Sequence, residues 1–543
     1  MKKYRLIVFI TTLILLSIPG IIFGQANELH AIFIEKNHFT SNTFKESPGS
    51  RDYTNINVSG ESSPQNEPSI AISRTNPDIV VAAWRDFRLG YIEPDVVRRI
   101  GYSRSTDGGI TWSTSQLLPD PTPDHISQSD PVVICDMDGD FYISSTSRQP
   151  VTYYNREMLL YKSTDNGQTF QLHATAVPGS GIQGEDKEWI FVDPVETNPT
   201  YNQLMIAWRS FGPSYGIKFR KSDVGGSNWS STVNVSDYGS GQGANLATGT
   251  EGQIIIVWTD FGINYDISYD NGTSFGPDRT LSAAALSSNN AFPFICVDYS
   301  DEATRGNVYV VWADNRLGSD DIWFQRSEDG GETWLDQPVR INASTAYHQT
   351  WPVIRCDSDG TLYSIYYDEG VTPGLLTTKL AFSDDAGDTW TNQILSDVAF
   401  QGNAPNSNVR FGDYIELDAY DGKVIPVWTD DRAGGYDQEI YTAIVDITSF
   451  TDENPVQAPG IRATASPNPF YSSSRLELSI EKGQMIQIYL YGPHGNRIET
   501  IENRYFETGD HIMNFGEGLA AGFYYLVIVS EEAQRSIVKV VKI

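Results

Sequence analysis

Cysteine is scarce: the 543 residues hold three, Cys135, Cys296 and Cys356. So small and odd a number excludes a disulfide framework as the source of stability, even for an exported chain. None lies at the start of the chain, which also excludes a lipid-modified N-terminal cysteine. Positive charge is short as well, with 38 Lys and Arg against 69 Asp and Glu and a formal charge of −31. That balance argues against a nucleic-acid backbone or an anionic lipid surface as a general partner. After residue 23 no apolar run is long enough to cross a membrane as a helix. There is no His-Glu-x-x-His, Walker loop or dinucleotide fingerprint, so no metal and no cofactor is expected. What is plentiful is aromatic and turn-forming: 29 Tyr, 24 Phe, 12 Trp and 46 Gly, with only 20% charged residues. This is the composition of a turn-rich all-β protein and not of a disordered acidic one.

The chain begins Met1-Lys2-Lys3-Tyr4-Arg5 and continues with an apolar run from Leu6 to Phe23 broken by Pro19-Gly20. A basic start followed by an apolar stretch predicts an export signal over 1–24, cut near Gly24, with 25–50 as a flexible mature N-terminus.

One eight-residue pattern recurs along the middle of the chain. It runs from Ser105 to Trp112 through Asp107 and Gly109, and returns at Ser163 to Phe170, Ser268 to Phe275, Ser327 to Trp334 and Ser383 to Trp390. A degenerate copy spans Ser222 to Trp229, with Val224 in place of the Asp. Asp, Asn and Gly supply a tight turn with side-chain-to-backbone hydrogen bonds, and the closing aromatic packs beneath it. At these residues the chain resembles the Asp-box, or bacterial neuraminidase repeat, β-propellers, to which sialidases belong. The boxes are structural in that family, so neither catalysis nor metal binding is assigned to them.

Each box ends a longer unit of four short strands, the grammar of a propeller blade. The first strand opens near a Pro and ends in Asp, as from Pro131 to Asp136; the second ends in Trp-x-Asp, as at Trp84-Arg85-Asp86, Trp312-Ala313-Asp314 and Trp428-Thr429-Asp430. Seven first strands are counted between Pro68 and Asp413, and the last unit lacks a box and a fourth strand. The stretch Thr54 to Ser59 reads as that missing strand, closing the ring and removing its open edges. The expected fold is therefore an all-β propeller over 51–449, with seven blades preferred and six, the usual sialidase number, as the alternative.

A linker over 450–462 leads to a segment with a different pattern, opening on Ser466-Pro467-Asn468-Pro469-Phe470 and ending Val538-Lys539-Val540-Val541-Lys542-Ile543. Over 463–543 it resembles the C-terminal sorting domain of type IX secretion cargo in Bacteroidetes, a small β-sandwich. The resemblance implies a partner in the type IX secretion machinery, export through the outer membrane of a Gram-negative cell, and release or attachment at the surface.

In a propeller of this order the connections between second and third strands, and between one sheet and the next, open on one face. That face is expected to collect Glu67, Asp130, Glu188 and Asp413 near the axis as candidate catalytic acids, and Arg88, Arg209, Arg316, Arg432 and Trp351 as candidate ligand contacts. Facing carboxylates can act as acid and base or nucleophile on a glycosidic bond, and aromatic faces suit sugar rings. The repeated Trp-x-Asp-x-Arg also reads as a structural clasp. Asp136-Met137-Asp138-Gly139-Asp140 and Asp357-Ser358-Asp359-Gly360 read as hairpin turns rather than calcium loops. The sialidase arginine motif Phe-Arg-Ile-Pro is missing, and Asn66-Glu67-Pro68 is the nearest stretch to it; Arg88, Arg209, Arg316 and Arg432 could mimic the family's clamp and Tyr414 beside Asp413 its nucleophile, but no motif assigns either role. Three functions follow: a secreted or surface glycan-binding protein, a glycoside hydrolase of sialidase-like or other specificity, and an adhesion platform.

Overall fold

The structure, a computed structural model, describes residues 45–46 and 53–542 apart from 93–95, 121–126, 149–155, 180–183, 213–214, 284–291, 345, 446–459, 469, 492–496, 520–521 and 531–534. The expected export signal, and the linker before residue 460, lie outside the described residues. Among the described residues no helix is long and apolar enough to cross a membrane.

The described residues form nine sheets, and seven of them lie between Lys45 and Ala443. Their first strands are Gln65–Ile72, Ser127–Cys135, Glu185–Val192, Gln242–Thr248, Phe294–Val297, Gln349–Cys356 and Glu416–Tyr420. Each of these touches the first strand of the next sheet, and Glu416–Tyr420 touches Gln65–Ile72, so the sheets stand in a closed β-propeller ring of seven. The seventh sheet is completed from the other end of the chain: Asn55, Ile56 and Asn57 pair antiparallel with Ala443, Thr442 and Tyr441. This is the strand that the sequence places there. Within the stretch expected to be flexible, Lys45–Glu46 pairs parallel with Thr391 and Asn392 as a fifth strand on the sixth sheet. It occupies an edge that would otherwise offer free backbone groups.

The sheets are held to one another by the repeats. In the first box Asp107 accepts from the backbone N and hydroxyl of Thr111 at 2.8 and 2.6 Å, and Ser105 Oγ accepts from Gly109 N at 2.8 Å. The closing aromatic then reaches across to the preceding sheet: Phe170 meets Tyr102, Phe275 meets Phe219, Trp334 meets Tyr265 and Trp390 meets Phe324 at centroid distances of 5.0 to 5.5 Å. Edge-on pairs of this kind add to the stability that burial alone supplies. In the degenerate copy the acid is Asp223, one residue ahead of Val224, and its carboxylate takes the backbone N of Ser227 and Asn228 at 2.9 Å. The box is thus shifted, not lost.

At the hairpin after the first strand Asp136 accepts from the backbone of Asp138 and Asp140 and from the Tyr142 hydroxyl. Asp357 accepts from Ser358 N and from Gly422 N of the next sheet. These carboxylates are spent on turn geometry, and no metal-holding cluster occurs among the described residues.

Residues Ile461–Lys542 form two further sheets, one of three strands and one of four. They enclose a core of their own that includes Leu476, Leu478, Ile486, Ile488 and Leu526. Alternate burial along Ser474–Ile480 is the mark of strands with one face inward. The two ends of this segment meet: Phe470 is bridged to Lys542, whose Nζ lies 5.1 Å from the Phe470 ring centre.

Candidate functional site

Just ahead of its apolar run, the first strand of five sheets is bulged. Register slips between Asn66 and Ser69, Ser129 and Val132, Asp186 and Trp189, Gln242 and Asn245, and Thr350 and Val353. The bulge puts one residue per sheet in the left-handed region: Glu67, Asp130, Lys187 and Trp351 at φ of 53 to 55°, and Gly243 at 63°. For a residue with a Cβ this conformation costs about 1 to 2 kcal/mol. Four such residues at one register, all at the axial end of the loop face, are strain gathered where a ligand would sit. In the seventh sheet Gly412, at φ 109°, holds the corresponding place. A Cβ there would come within 3.1 Å of Glu67 Cγ, so glycine lets the last sheet close on the first.

Two of these bulges, at Asp130 and Lys187, contribute to the wall of a polar cavity of about 140 Å³. Its wall includes Arg85, Arg98, Arg148, Arg156, Lys187 and Arg410, facing Asp130, Asp186 and Asp413. Six cationic side chains against three carboxylates make this a positive spot in a chain of net charge −31. Asp130 accepts from the Thr146 hydroxyl at 3.0 Å. Arg156 pairs with Asp186, which also accepts from Gln242 Nε2 at 3.3 Å. Lys187 is buried, and its Nζ makes no hydrogen bond among the described residues; it lies 3.5 Å from the Tyr414 ring centre and 5.0 Å from that of Phe292.

The acids of the site are driven apart in pKa. Burial alone would raise Asp130, but the charges of Lys187, Arg85 and Arg156 and the Thr146 hydrogen bond outweigh it and hold the carboxyl below its usual range. Burial raises Asp186, and the neighbouring Asp130 charge adds to the effect. Burial also pushes Glu67 up to about 8, against the pull of Arg85 and with the help of Asp130 and Asp413. Glu188 is raised well above the usual range by burial and by Asp130.

Of the acids the sequence singles out, Asp130 and Asp413 line the cavity and Glu67 and Glu188 do not. Glu67 is 1% exposed, with its Oε1 2.9 Å from Arg85 Nη1. Glu188 is buried, and neither carboxyl oxygen is hydrogen bonded among the described residues. Tyr414 does not stand as a nucleophile: it is 2% exposed, donates to the Pro131 carbonyl at 3.1 Å, and its pKa is raised by burial.

The predicted arginines do not converge. Arg88 pairs with Asp86 at 2.7 Å and Arg316 with Asp314 at 2.5 Å, and Arg432 bonds Asp430 at 2.6 Å. Each of those aspartates also accepts from the indole two residues earlier, Trp84, Trp312 or Trp428, at 2.7 to 3.3 Å. The repeated motif is a buried clasp that ties the end of the second strand to the loop after it. Arg209 has no such aspartate; it is buried, donates to the Gly241 carbonyl and lies 4.7 Å from the Phe211 ring centre. Trp351 is half-buried and stacks on Phe411 at 6.2 Å and against Tyr367 at 5.6 Å, outside the cavity wall. Of the cavity's cations, Lys187, Arg148 and Arg410 fall at positions that the strand order assigns to this face, whereas Arg85, Arg98 and Arg156 carried no signal in the sequence. Arg148 and Arg156 face each other across the mouth of one hairpin, and Arg85 sits between the Trp and Asp of a clasp.

A larger cavity of about 310 Å³ lies farther along the same first strands and is mostly apolar. All three cysteines line it, and burial raises their pKa values, so none is a reactive thiolate. Its two arginines are neutralised, Arg74 by Asp418 at 3.0 Å and Arg355 by Glu416 at 2.7 Å.

No family model matches the chain, and no curated protein matches it. Solved structures similar to it include a leech intramolecular trans-sialidase complexed with 2,7-anhydro-Neu5Ac, 14% identical over 59% of this chain and 67% of that one, with a TM-score of 0.41. A protein of unknown function from Dyadobacter fermentans is 16% identical over 73% of this chain and 99% of its own, with a TM-score of 0.42. An α-L-arabinanase of Penicillium chrysogenum complexed with arabinobiose is 14% identical over 73% of this chain and 99% of its own, with a TM-score of 0.41.

Proposed function

We propose that the chain is an exported glycan-binding propeller whose axial pocket takes the acidic end group of a sugar chain. The observation that carries this reading is a small polar cavity with six cations on its wall, two of whose lining residues, Asp130 and Lys187, are held in strained bulges. Fixed guanidinium and ammonium groups in a partly dry pocket favour a carboxylate or sulfate ester there. Net negative charge elsewhere does not defeat this, because salt screens exposed charges beyond roughly 8 Å. Residues 1–24 act as the export signal, and 463–543 as the sorting domain read by the type IX secretion machinery, delivering the propeller to the cell surface or the medium. A glycan array probed with the mature full-length chain tests the reading, followed by a release assay on any hit. Signals confined to acidic glycans are expected; a blank array refutes it.

A second reading, glycoside hydrolysis, is favoured by one feature. Asp130 and Asp186 both line the cavity, with pKa values shifted in opposite directions. Two carboxyls on one wall, one holding its proton more tightly than usual and the other less, are suited to the acid and base roles that hydrolysis needs. Asp186→Asn and Asp130→Asn would then each abolish release while leaving the melting temperature close to that of the parent.

A further inference from the structure

Large side chains are exposed on the loop face, and three aromatic ones gather at one corner of it. Tyr215, in the loop between the second and third strands of the third sheet, is 51% exposed; Tyr238, in the connection to the fourth sheet, is 71% exposed; Phe261, in the next such loop, is 93% exposed. The three loops are joined. A Cβ on Gly216 would lie 2.9 Å from the Tyr238 carbonyl, and one on Gly239 would lie 2.8 Å from Tyr215 Cβ. Ser240 Oγ donates to Asp260 Oδ2 at 2.7 Å, tying the Tyr238 loop to the Phe261 turn. Two residues on from Ser240 stands Gln242, which lines the polar cavity. A short run of backbone therefore leads from the aromatic corner to the pocket.

Phe261 occupies the turn Asp260-Phe261-Gly262 at φ 42°. A tight hairpin turn of this kind takes Asn or Gly without strain, whereas a bulky ring in the left-handed region is an outlier. The strain gains nothing from burial, since the ring stands in solvent. Strain that the fold does not need points to a ligand contact.

We infer that Tyr215, Tyr238 and Phe261 form a platform for the sugar units that follow the one held in the axial pocket, so that the occupant of this face is an oligosaccharide. The inference rests on the glycan reading above and deepens it. At about 140 Å³ the pocket is well below the size that buries a drug-sized ligand, so it holds one terminal unit. The C–H face of each further unit is apolar and packs on an exposed ring.

The test titrates the full-length mature chain, by calorimetry, with galacturonic acid and its oligomers up to the hexamer, and with sialic acid and its α2,8 oligomers. Affinity is expected to rise with chain length, about tenfold or more from monomer to tetramer, the rings contributing severalfold each. Phe261→Gly and Tyr238→Ala should remove most of that gain and leave monomer affinity unchanged. Because Phe261→Gly relieves the turn, its melting temperature should equal or exceed that of the parent. A lower melting temperature would assign the ring to the fold and overturn the platform, as would affinity independent of chain length. Concentration-dependent self-association lost in Phe261→Gly would assign the corner to contact between copies, and would also overturn it. No binding by any member of either series, monomers included, would refute the glycan reading beneath.

Discussion

Asp314 is the most exacting test of whether the Trp-x-Asp-x-Arg repeat serves the fold or a ligand. Its side chain is fully buried, and it accepts from Trp312 Nε1 at 2.7 Å, from Arg316 N at 3.1 Å and from Arg316 Nε at 2.9 Å. In Asp314→Ala the indole N–H is left buried without an acceptor, which costs about 1 to 3 kcal/mol. The Arg316 side chain is 19% exposed and its guanidinium keeps Ser282 Oγ at 2.8 Å, so losing its carboxylate lies between the surface and buried cases, about 1 to 2 kcal/mol. The expected total is about 3 kcal/mol, read as a lower urea midpoint by tryptophan fluorescence. Arg316→Met leaves the buried Asp314 carboxylate without its counter-charge, so it should lose at least as much, about 3 kcal/mol, and still bind acidic glycans as the parent does. Parental stability in both variants, together with loss of glycan binding in Arg316→Met, would refute the clasp and restore the arginines as a ligand clamp.

Glu67 gives a pH dependence of definite sign. Folded, it holds its proton to about pH 8, whereas the unfolded chain releases it near the ordinary value of 4.5, so its contribution to stability is complete below 4.5 and is lost as pH rises to 8. Glu67→Gln should therefore gain on the parent by as much as about 4 kcal/mol between pH 5 and pH 8, measured as the difference in unfolding free energy; a constant difference would show that the carboxyl is not held neutral. Removing residues 54–59 should leave Glu439–Ala443 as an open edge, and light scattering should report aggregation where the parent stays clear; a monodisperse, equally stable product would contradict the closure. Expressed alone, residues 25–450 should give a cooperative melt, while the native host should fail to deliver a chain lacking 463–543 to its surface; surface delivery without that segment would sink the sorting assignment.

The architecture was legible because it is repetitive. Five Asp boxes and a recurring Trp-x-Asp reported the third-to-fourth strand turns and the second-strand ends, and the spare strand at Asn55–Asn57 followed from counting. The site was less so, because what makes it is not periodic. The bulges were signalled only by the prolines after Glu67, Asp130 and Trp351, and proline position does not specify a left-handed residue before it. Repetition also misled: Arg88, Arg316 and Arg432 stood out because they recur with Asp, yet recurrence in three of the seven sheets, each time with the same Trp and Asp partners, is what a structural clasp does. The cations of the pocket occur once each, Arg85, Arg148, Arg156 and Lys187 in strands of three different sheets and Arg98 and Arg410 in connections, and their meeting is a consequence of the ring alone. Asp223 shows the same limit, since a one-residue slip in a degenerate box is invisible until the hydrogen bonds are seen.

Binding of acidic glycans by the intact mature chain, compared with Lys187→Met and Arg156→Met on the same array, tests the central claim most directly. Both residues line the polar cavity and neither belongs to a repeat. The account predicts signals on carboxylated or sulfated glycans that fall at least about tenfold in each variant, the loss of one charge-assisted contact, with melting temperatures near that of the parent. Acidic-glycan signals that persist unchanged in both variants would contradict it.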